Sequence, residues 1–445
     1  MMFRNYLLCC FIPCTILTVG LTVGTETIAA EWPEWRGPGG QGLATAENLP
    51  TNWSESENVV WKTPIPGRGW SSPVIDEGRI WITTSRMKES SPEERKRRME
   101  SITNSQPVII LDELELLAIC LEEQTGEILY EVPLITEEKP DPIHVQNSYA
   151  TPTPVLHEGR LYCHFGTHGT ACVDAMTGER LWVNTELRLN HENGPGSSPV
   201  FHNNLIIFHC DGSDVQYIAA LNATTGEIAW KQARTGELHS NPQLRKAYCT
   251  PLLVSLGDEV QLISPGADWV YGYNPDTGEE LWKLNYGQLG FSNSARPLFH
   301  NGTSYIATGF MKSRLLAIDH TDPMRPEISW TFAKQVGEVP SPILVDGLIY
   351  LISDDGGVVT CVEADGGKQV WQKRIGGSHW ASPIYADNQL FFFSKEGETT
   401  VLQSGREFKV LARNKLDGMF MATGAAVGDS LYLRTDKAMY RIANQ

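Results

Sequence analysis

NATTGEIAW, residues 222–230, reads as a turn between two strands, and EQTGEILY (123–130), AMTGERLW (175–182) and PDTGEELW (275–282) repeat it. Thr-Gly between β-rich segments marks a tight two-residue turn, with Gly126, Gly178, Gly226 and Gly278 free to take positive φ. Repetition at a fixed period signals a repeat architecture and is settled before any motif is weighed. Upstream of each turn a second signature recurs, a small residue and a proline leading a strand: SSPVIDEGRIWI from 71, SSPVFHNNLIIF from 197, ARPLFHNGTSYI from 295 and ASPIYADNQLFFF from 381. The two signatures alternate. Each unit therefore predicts four strands: the proline strand, a hairpin return, the strand before the Thr-Gly turn and a strand ending in an aromatic residue.

The aromatic markers are Tyr130, Trp182, Trp230, Trp282, Trp330 and Trp371, with Leu411 marking a degenerate seventh unit, at spacings of 40 to 52 residues. That is the period of four-stranded propeller blades. An eighth unit begins at MATGAAVGDSLYL (421–433) and stops at MYRIANQ, short of its last strand. ENVVWKTPIPG (57–67) carries Trp61 with no preceding strands of its own. The N-terminal strand is thus expected to complete the last blade and remove two open sheet edges. The predicted fold is all-β, an eight-bladed propeller of four-stranded blades over 57–445. Two β-sandwiches would also supply many short strands, but they do not repeat one turn and one aromatic at a fixed offset.

A formal charge of -17 over 445 residues excludes a nucleic-acid backbone as partner, since binding one needs a basic surface. Residues 1–30 carry one basic residue, Arg4, then an apolar run and a small-residue ending at Ala29 and Ala30, the pattern of an export signal. The mature chain is expected to be periplasmic or secreted, with no transmembrane span. Cys9, Cys10 and Cys14 lie inside the apolar run, too early for acylation, so no lipid anchor is expected. Cys120, Cys172 and Cys361 share one repeat position with Ala220 and Gly272, which marks a tight core site. LYCHFGTHGTACV (161–173), folded about its midpoint, predicts Cys163 opposite Cys172.

Two stretches stand outside the repeat. Residues 86–102, RMKESSPEERKRRMESI, predict an N-capped helix inserted in the first blade, and their mixed charges suit a solvated flap. Residues 31–56 form an N-terminal extension in which Gly37, Gly39 and Gly42 have GxGxxG spacing. No strand precedes them and Pro38 interrupts the loop, so the context of a dinucleotide site is missing.

Ala/Cys-x-[Asp/Glu/Asn]-x-x-Thr-Gly-Glu-x-x-Trp with a proline-led inner strand resembles the pyrroloquinoline-quinone-type repeat. That repeat builds quinoprotein dehydrogenases, exported bacterial propellers and the lipoprotein propeller of the outer-membrane barrel-assembly machinery. The resemblance implies the propeller fold over the whole mature chain. For the dehydrogenases it implies a quinone under adjacent cysteines, a calcium ion held by acidic and amide side chains, and an aspartate base. The only adjacent cysteines here, Cys9 and Cys10, lie in the export signal. GxSxG, HExxH and CxxC are absent, so no catalytic or metal residue is assigned.

One face of the ring is expected to collect the blade-to-blade connections and the loops between second and third strands. Seven of the eleven histidines fall there: His144, His164, His168, His191, His209, His239 and His379. Three positions before the inner-strand proline stand Trp70, Tyr149, Tyr248 and Trp380, expected to rim the channel mouth and to stack a planar ligand or anchor a peptide or protein. His164, His168, Asp211, Asp214, Lys246 and Asp268 are the polar candidates around them. The function expected is an exported, non-enzymatic binding or scaffold propeller without a cofactor. The alternative is a quinone-dependent oxidoreductase, with pyrroloquinoline quinone and calcium, at the same mouth.

Overall fold

The computed structural model describes residues 1, 32–100, 102 and 106–445, so the expected export signal lies, after Met1, outside the described residues. Eight four-stranded antiparallel sheets follow one another. Blade 3 is typical, with strands Val200–His202, Leu205–Asp211, Gln216–Asn222 and Ile228–Ala233 from the inside outward. Blade 1 spans 74–138, blade 2 155–184, blade 4 252–285, blade 5 298–332, blade 6 343–374 and blade 7 384–415. Blade 8 takes three strands from 425–443 and its outer strand from Val59–Pro64, which pairs Trp61 with Arg441 and Pro64 with Ala438. The ring is closed by the strand that the sequence offered for it.

The Thr-Gly turn is wider than the two-residue turn expected. Asn222 and Glu227 face each other across a four-residue loop, with Gly226 at φ 77° donating to the Asn222 carbonyl at 2.8 Å. The cause is the polar residue that opens the motif: the Asn222 side chain accepts the N–H groups of Thr224 and Thr225, an Asx-type turn. Asp174 and Asn274 do the same in their blades, and the motif threonine accepts the N–H of the following glutamate. Each letter of the repeat is spent on its own turn.

The turn glycine also meets the preceding blade. A Cβ on Gly226 would lie 2.5 Å from the Trp182 ring, one on Gly278 2.4 Å from Trp230, and one on Gly126 2.5 Å from Trp61. Three indoles also donate to the carbonyl side of that turn, Trp61 to Glu123, Trp182 to Ala223 and Trp330 to Ala364. Beneath the aromatic sits the small residue of its own blade: Cys120 pairs with Tyr130, Cys172 with Trp182, Ala220 with Trp230, Gly272 with Trp282 and Cys361 with Trp371. In blade 7 the register puts Ala412, opposite Val401, in the marker position, so Leu411 is corrected by one residue. Blade 8 has no turn there to receive an indole, because its third and fourth strands are the two ends of the ring. Trp53 of the extension fills the space instead, buried with Ala412 and 6.2 Å from the Phe391 ring.

Two further expectations are corrected. Cys163 lies opposite Ala171, and Cys172 opposite Tyr162, because a 3₁₀ turn over Gly166–His168 shifts the midpoint by half a residue. A one-residue shift sends the two thiols to opposite faces of the sheet, Cys163 toward blade 1 and Cys172 toward blade 3, and both are free. The inserted helix runs only over Pro92–Met99, capped by Ser91, which accepts the Glu94 N–H. Arg86–Glu89 instead prolongs the second strand, where Arg86 faces Glu115 and Lys88 faces Glu113 as cross-strand ion pairs.

The extension packs against the ring. Its residues 32–44 cross the hairpin ends of the inner strands: Trp32 exchanges backbone bonds with Ile75 of blade 1, and Leu156 of blade 2 donates to Pro33. Gln41 brackets Pro297 and Phe299 of blade 5, Arg36 donates to Pro342 before blade 6, and Gly42 and Ala44 pair with Tyr385 of blade 7. Two glycines of the GxGxxG spacing serve this packing, since a Cβ on Gly37 would strike the Trp32 ring at 2.6 Å and one on Gly42 the Arg36 guanidinium at 2.9 Å, whereas Gly39 has open space and serves its positive φ of 68°.

Glycine replacement separates the turn from the docking. Gly302→Ala, at φ 74° with nothing within 4 Å, should cost only the left-handed backbone penalty, about 1–2 kcal/mol. Gly226→Ala should cost about 2–4 kcal/mol, because Trp182 must also move. Urea unfolding of the two variants is the measurement, and equal losses would refute the docking role.

Candidate functional site

The connections between blades and the loops between second and third strands share one face, and over blades 2 to 4 they hold a continuous polar network. The second strand of blade 3 ends in His209 and Asp211, both buried. Arg234, just past the outer strand of blade 3, grips Asp211 with Nε at 3.1 Å and Nη2 at 2.9 Å. Its remaining donors reach Ser264 and the Tyr273 hydroxyl, and its plane lies 4.7 Å from the Tyr271 ring centroid. Burial pushes the Asp211 carboxyl up against the pull of Arg234, and the two-pronged contact keeps the pair charged. Gln216, Leu238, Arg245 and Ala267 close around this pair, leaving no room for a water molecule.

A second buried pair joins Lys246 to Glu192, with Gln243 accepting from the same ammonium at 3.2 Å. Nearby, His168 meets Glu137 at 2.5 Å, and His164 is bonded to Thr170 and stacked on Phe208. His191 accepts the Thr167 N–H, while both ring nitrogens of His209 lack a protein partner. Burial holds His164 at about 3 and drives His191 and His209 well below the ordinary histidine value. Neighbouring imidazoles add to the effect at His164 and His191, and the Arg234 cation adds to it at His209.

Four of the seven loop-face histidines are therefore gathered, and His144, His239 and His379 stand elsewhere. The mouth aromatics are tied into the fold. Trp70 donates to the Gln146 carbonyl beneath Arg68, Tyr149 to Asp141 with its ring edge-on to His168, and Tyr248 to His191. Trp70 and Tyr149 are buried, whereas Tyr248 and Trp380 are half-buried, with the Lys395 ammonium 4.3 Å from the Trp380 centroid. Asp214 accepts the Asn190 N–H, and Asp268 turns its loop at φ 65°. The sequence did not single out Arg234, Glu192 or Glu137, the partners that neutralise the buried charges. A lone charged residue in a loop carries no pattern from which its partner can be read.

A family model described as outer membrane protein assembly factor BamB matches residues 106–233, 171–323 and 327–419, well over half of the chain. The chain belongs to this family. It is 24% identical over 289 residues to the outer membrane protein assembly factor BamB of Moranella endobia (strain PCIT), covering 62% of this chain and 65% of that one. The Shewanella oneidensis BamB is 20% identical over 247 residues, covering 52% and 58%. The matched stretch thus spans less than two thirds of these relatives. Among solved structures, BamB from Moraxella catarrhalis superposes with TM-score 0.52 at 13% identity, over 76% of this chain and 95% of that one. A europium-containing methanol dehydrogenase gives 0.62 at 12%, over 92% and 90%. At such identities the likeness shows the fold alone.

The described cysteines are single, buried and free, and no three His, Cys, Asp or Glu side chains converge as metal ligands among the described residues. Among those residues, no helix is long and apolar enough to cross a membrane.

Asp211→Asn leaves the Arg234 cation buried without an anion and should cost about 3–5 kcal/mol in urea unfolding, whereas Asp211→Leu with Arg234→Met should cost less than the two single losses summed. Acid sensitivity follows from the histidines. Their folded values lie below the unfolded value of about 6.5, so below that pH the unfolded chain takes up protons the folded one refuses, and stability falls as pH falls. Each contributes up to about 1.4 kcal/mol per pH unit. His209→Phe should flatten the slope of stability between pH 6.5 and 4.5 by about one proton. An unchanged slope would show that His209 does not titrate on unfolding.

Proposed function

We propose that the protein is an exported, non-enzymatic binding propeller that holds a protein partner on its loop face. The observation that carries this is an apolar knob over blades 4 and 5. Phe310 is 51% and Met311 72% exposed, on the loop between the second and third strands of blade 5. The knob is held stiffly: Phe310 donates to the Phe291 carbonyl at 2.7 Å and Met311 to Glu338 at 2.9 Å, and the Phe291 and Phe310 rings meet edge-on at 5.9 Å. Met311 takes φ 76° and Ser292 φ 58°, conformations costly for residues with a Cβ. A stiff, strained, solvent-facing aromatic and methionine pair supports docking, because little side-chain or loop entropy is lost when it is covered. The naming of its relatives as outer membrane protein assembly factors supports a protein partner. The half-buried Tyr248 and Trp380 extend the same face, and the buried Asp211, Lys246, His164 and His168 stiffen it from below.

Phe310→Ser with Met311→Ser should weaken capture of the partner from a cell-envelope extract by on the order of 30- to 1000-fold, since each side chain forgoes about 1–2 kcal/mol of burial. The thermal midpoint should stay within a degree or two. Undiminished capture by this variant would remove the knob as the docking element. Incubation with pyrroloquinoline quinone and calcium, followed by dye reduction with an alcohol, is the companion assay; turnover there would overturn the non-enzymatic assignment.

A further inference from the structure

The inner strands are linked to one another by a belt of hydroxyls. The residue before the inner-strand proline, or before Gly424 in blade 8, accepts the N–H of its counterpart in the preceding blade: Ser72 donates to Thr153, Thr153 to Ser198 and Ser198 to Thr250. The belt resumes with Arg296 donating to Ser341, Ser341 to Ser382, Ser382 to Thr423 and Thr423 to Ser72. It breaks at one step only, from Thr250 to blade 5, where Arg296 stands in place of serine or threonine.

The Arg296 side chain, 2% exposed, is used elsewhere. It donates Nη1 to the Trp35 carbonyl at 2.9 Å and Nη2 to the Glu34 carboxylate at 2.8 Å. Gly40 must lack a side chain for this, since a Cβ there would fall 1.8 Å from the Arg296 guanidinium. The segment it holds is wound unusually. Arg36, Gly37, Gly39, Gly40 and Gly42 all take positive φ, and Arg36 is fully buried in that state, its Nη2 shared between the Gln41 and Pro342 carbonyls. A non-glycine residue held left-handed and out of water costs free energy that the surrounding contacts must offset. Five blades contribute those contacts, as described above.

We infer that the hairpin end of the channel is a peptide-binding site, with Arg296 as its specificity residue, whose ligand is an acidic residue followed within a few positions by a glycine-rich turn. The chain's own residues 32–44 are the resident occupant. The site is a groove made by inner strands of a ring that is complete without it, since closure rests on 59–64. It is distinct from the loop face at the other ends of the strands, so its test does not depend on the docking proposed there.

The test uses the full chain with a protease site placed at Glu47–Asn48, both exposed. After clipping, the fragment ending at residue 47 should co-elute with the ring in gel filtration. A fluorescent synthetic peptide of residues 31–47 should then exchange into it at one per ring. The same peptide with Glu34→Gln should bind at least 10-fold more weakly. Arg296→Ser restores the hydroxyl that the other seven blades carry, so the ring should fold with an unchanged circular dichroism spectrum. That ring should bind both peptides weakly and without distinguishing them. Immediate loss of the fragment from the clipped wild type, or equal binding of the two peptides to the wild-type ring, would overturn the assignment. So would retained discrimination in the Arg296→Ser ring.

Discussion

The ring depends on an indole lying across a glycine of the next blade. Blades are separate sheets, and among the described residues only isolated backbone bonds, such as Tyr248 to Asn293, cross from one to its neighbour, so much of their angle and spacing comes from side chains. An aromatic at the end of the outer strand reaches over a small residue in its own blade and rests on a left-handed glycine of the following turn. Its ring nitrogen then bonds to that turn's backbone. The contact carries apolar burial and direction together, and it tolerates no Cβ at the turn. Where the next turn lacks a glycine, as at Asp319–Pro323 of blade 5, the geometry changes: Trp282 bonds to Gln261 of its own blade and packs near His320 instead.

Near the axis a second system repeats, made of hydroxyls and backbone N–H groups. It works at short range where the blades crowd together and large side chains have no room. Outer indoles and inner hydroxyls together hold each blade at two radii. A blade held at two radii resists both splaying and rocking, which allows the loop face to carry buried charges such as Asp211, Arg234, Lys246 and Glu192 in fixed geometry. Those pairs contribute shape more than stability, because the cost of drying two charges offsets much of their attraction. Above blades 4 and 5 the same rigidity presents Phe310 and Met311 to solvent.

The sequence by itself determined the architecture. Period, turn and aromatic offset are local patterns, and a local pattern repeated along one chain states the number of units and the strand order within each. The missing outer strand of the last unit and the spare strand around Trp61 even dictated how the ring closes. The small position shared by Cys120, Cys172, Ala220, Gly272 and Cys361 was legible for the same reason, since comparing copies of one unit reveals what that unit needs. Arg296 was open to the same comparison, as the one arginine among serines and threonines.

Only the tertiary structure decided what pairs with what. Register in the second blade hung on whether one hairpin held a 3₁₀ turn, a difference of half a residue that no composition reveals. The candidate site residues lay in the segments expected, but the partners that bury Asp211, Lys246 and His168 come from other loops and other blades. Trp70 and Tyr149, read as open stacking surfaces, turn out to wedge connections together through their polar tips. The extension's glycines made sense only once Trp32 and the arginines were seen lying against them. Repeats encode their own geometry because each copy meets the same surroundings. Irregular loops meet surroundings found once in the molecule, and those exist only after the ring has closed.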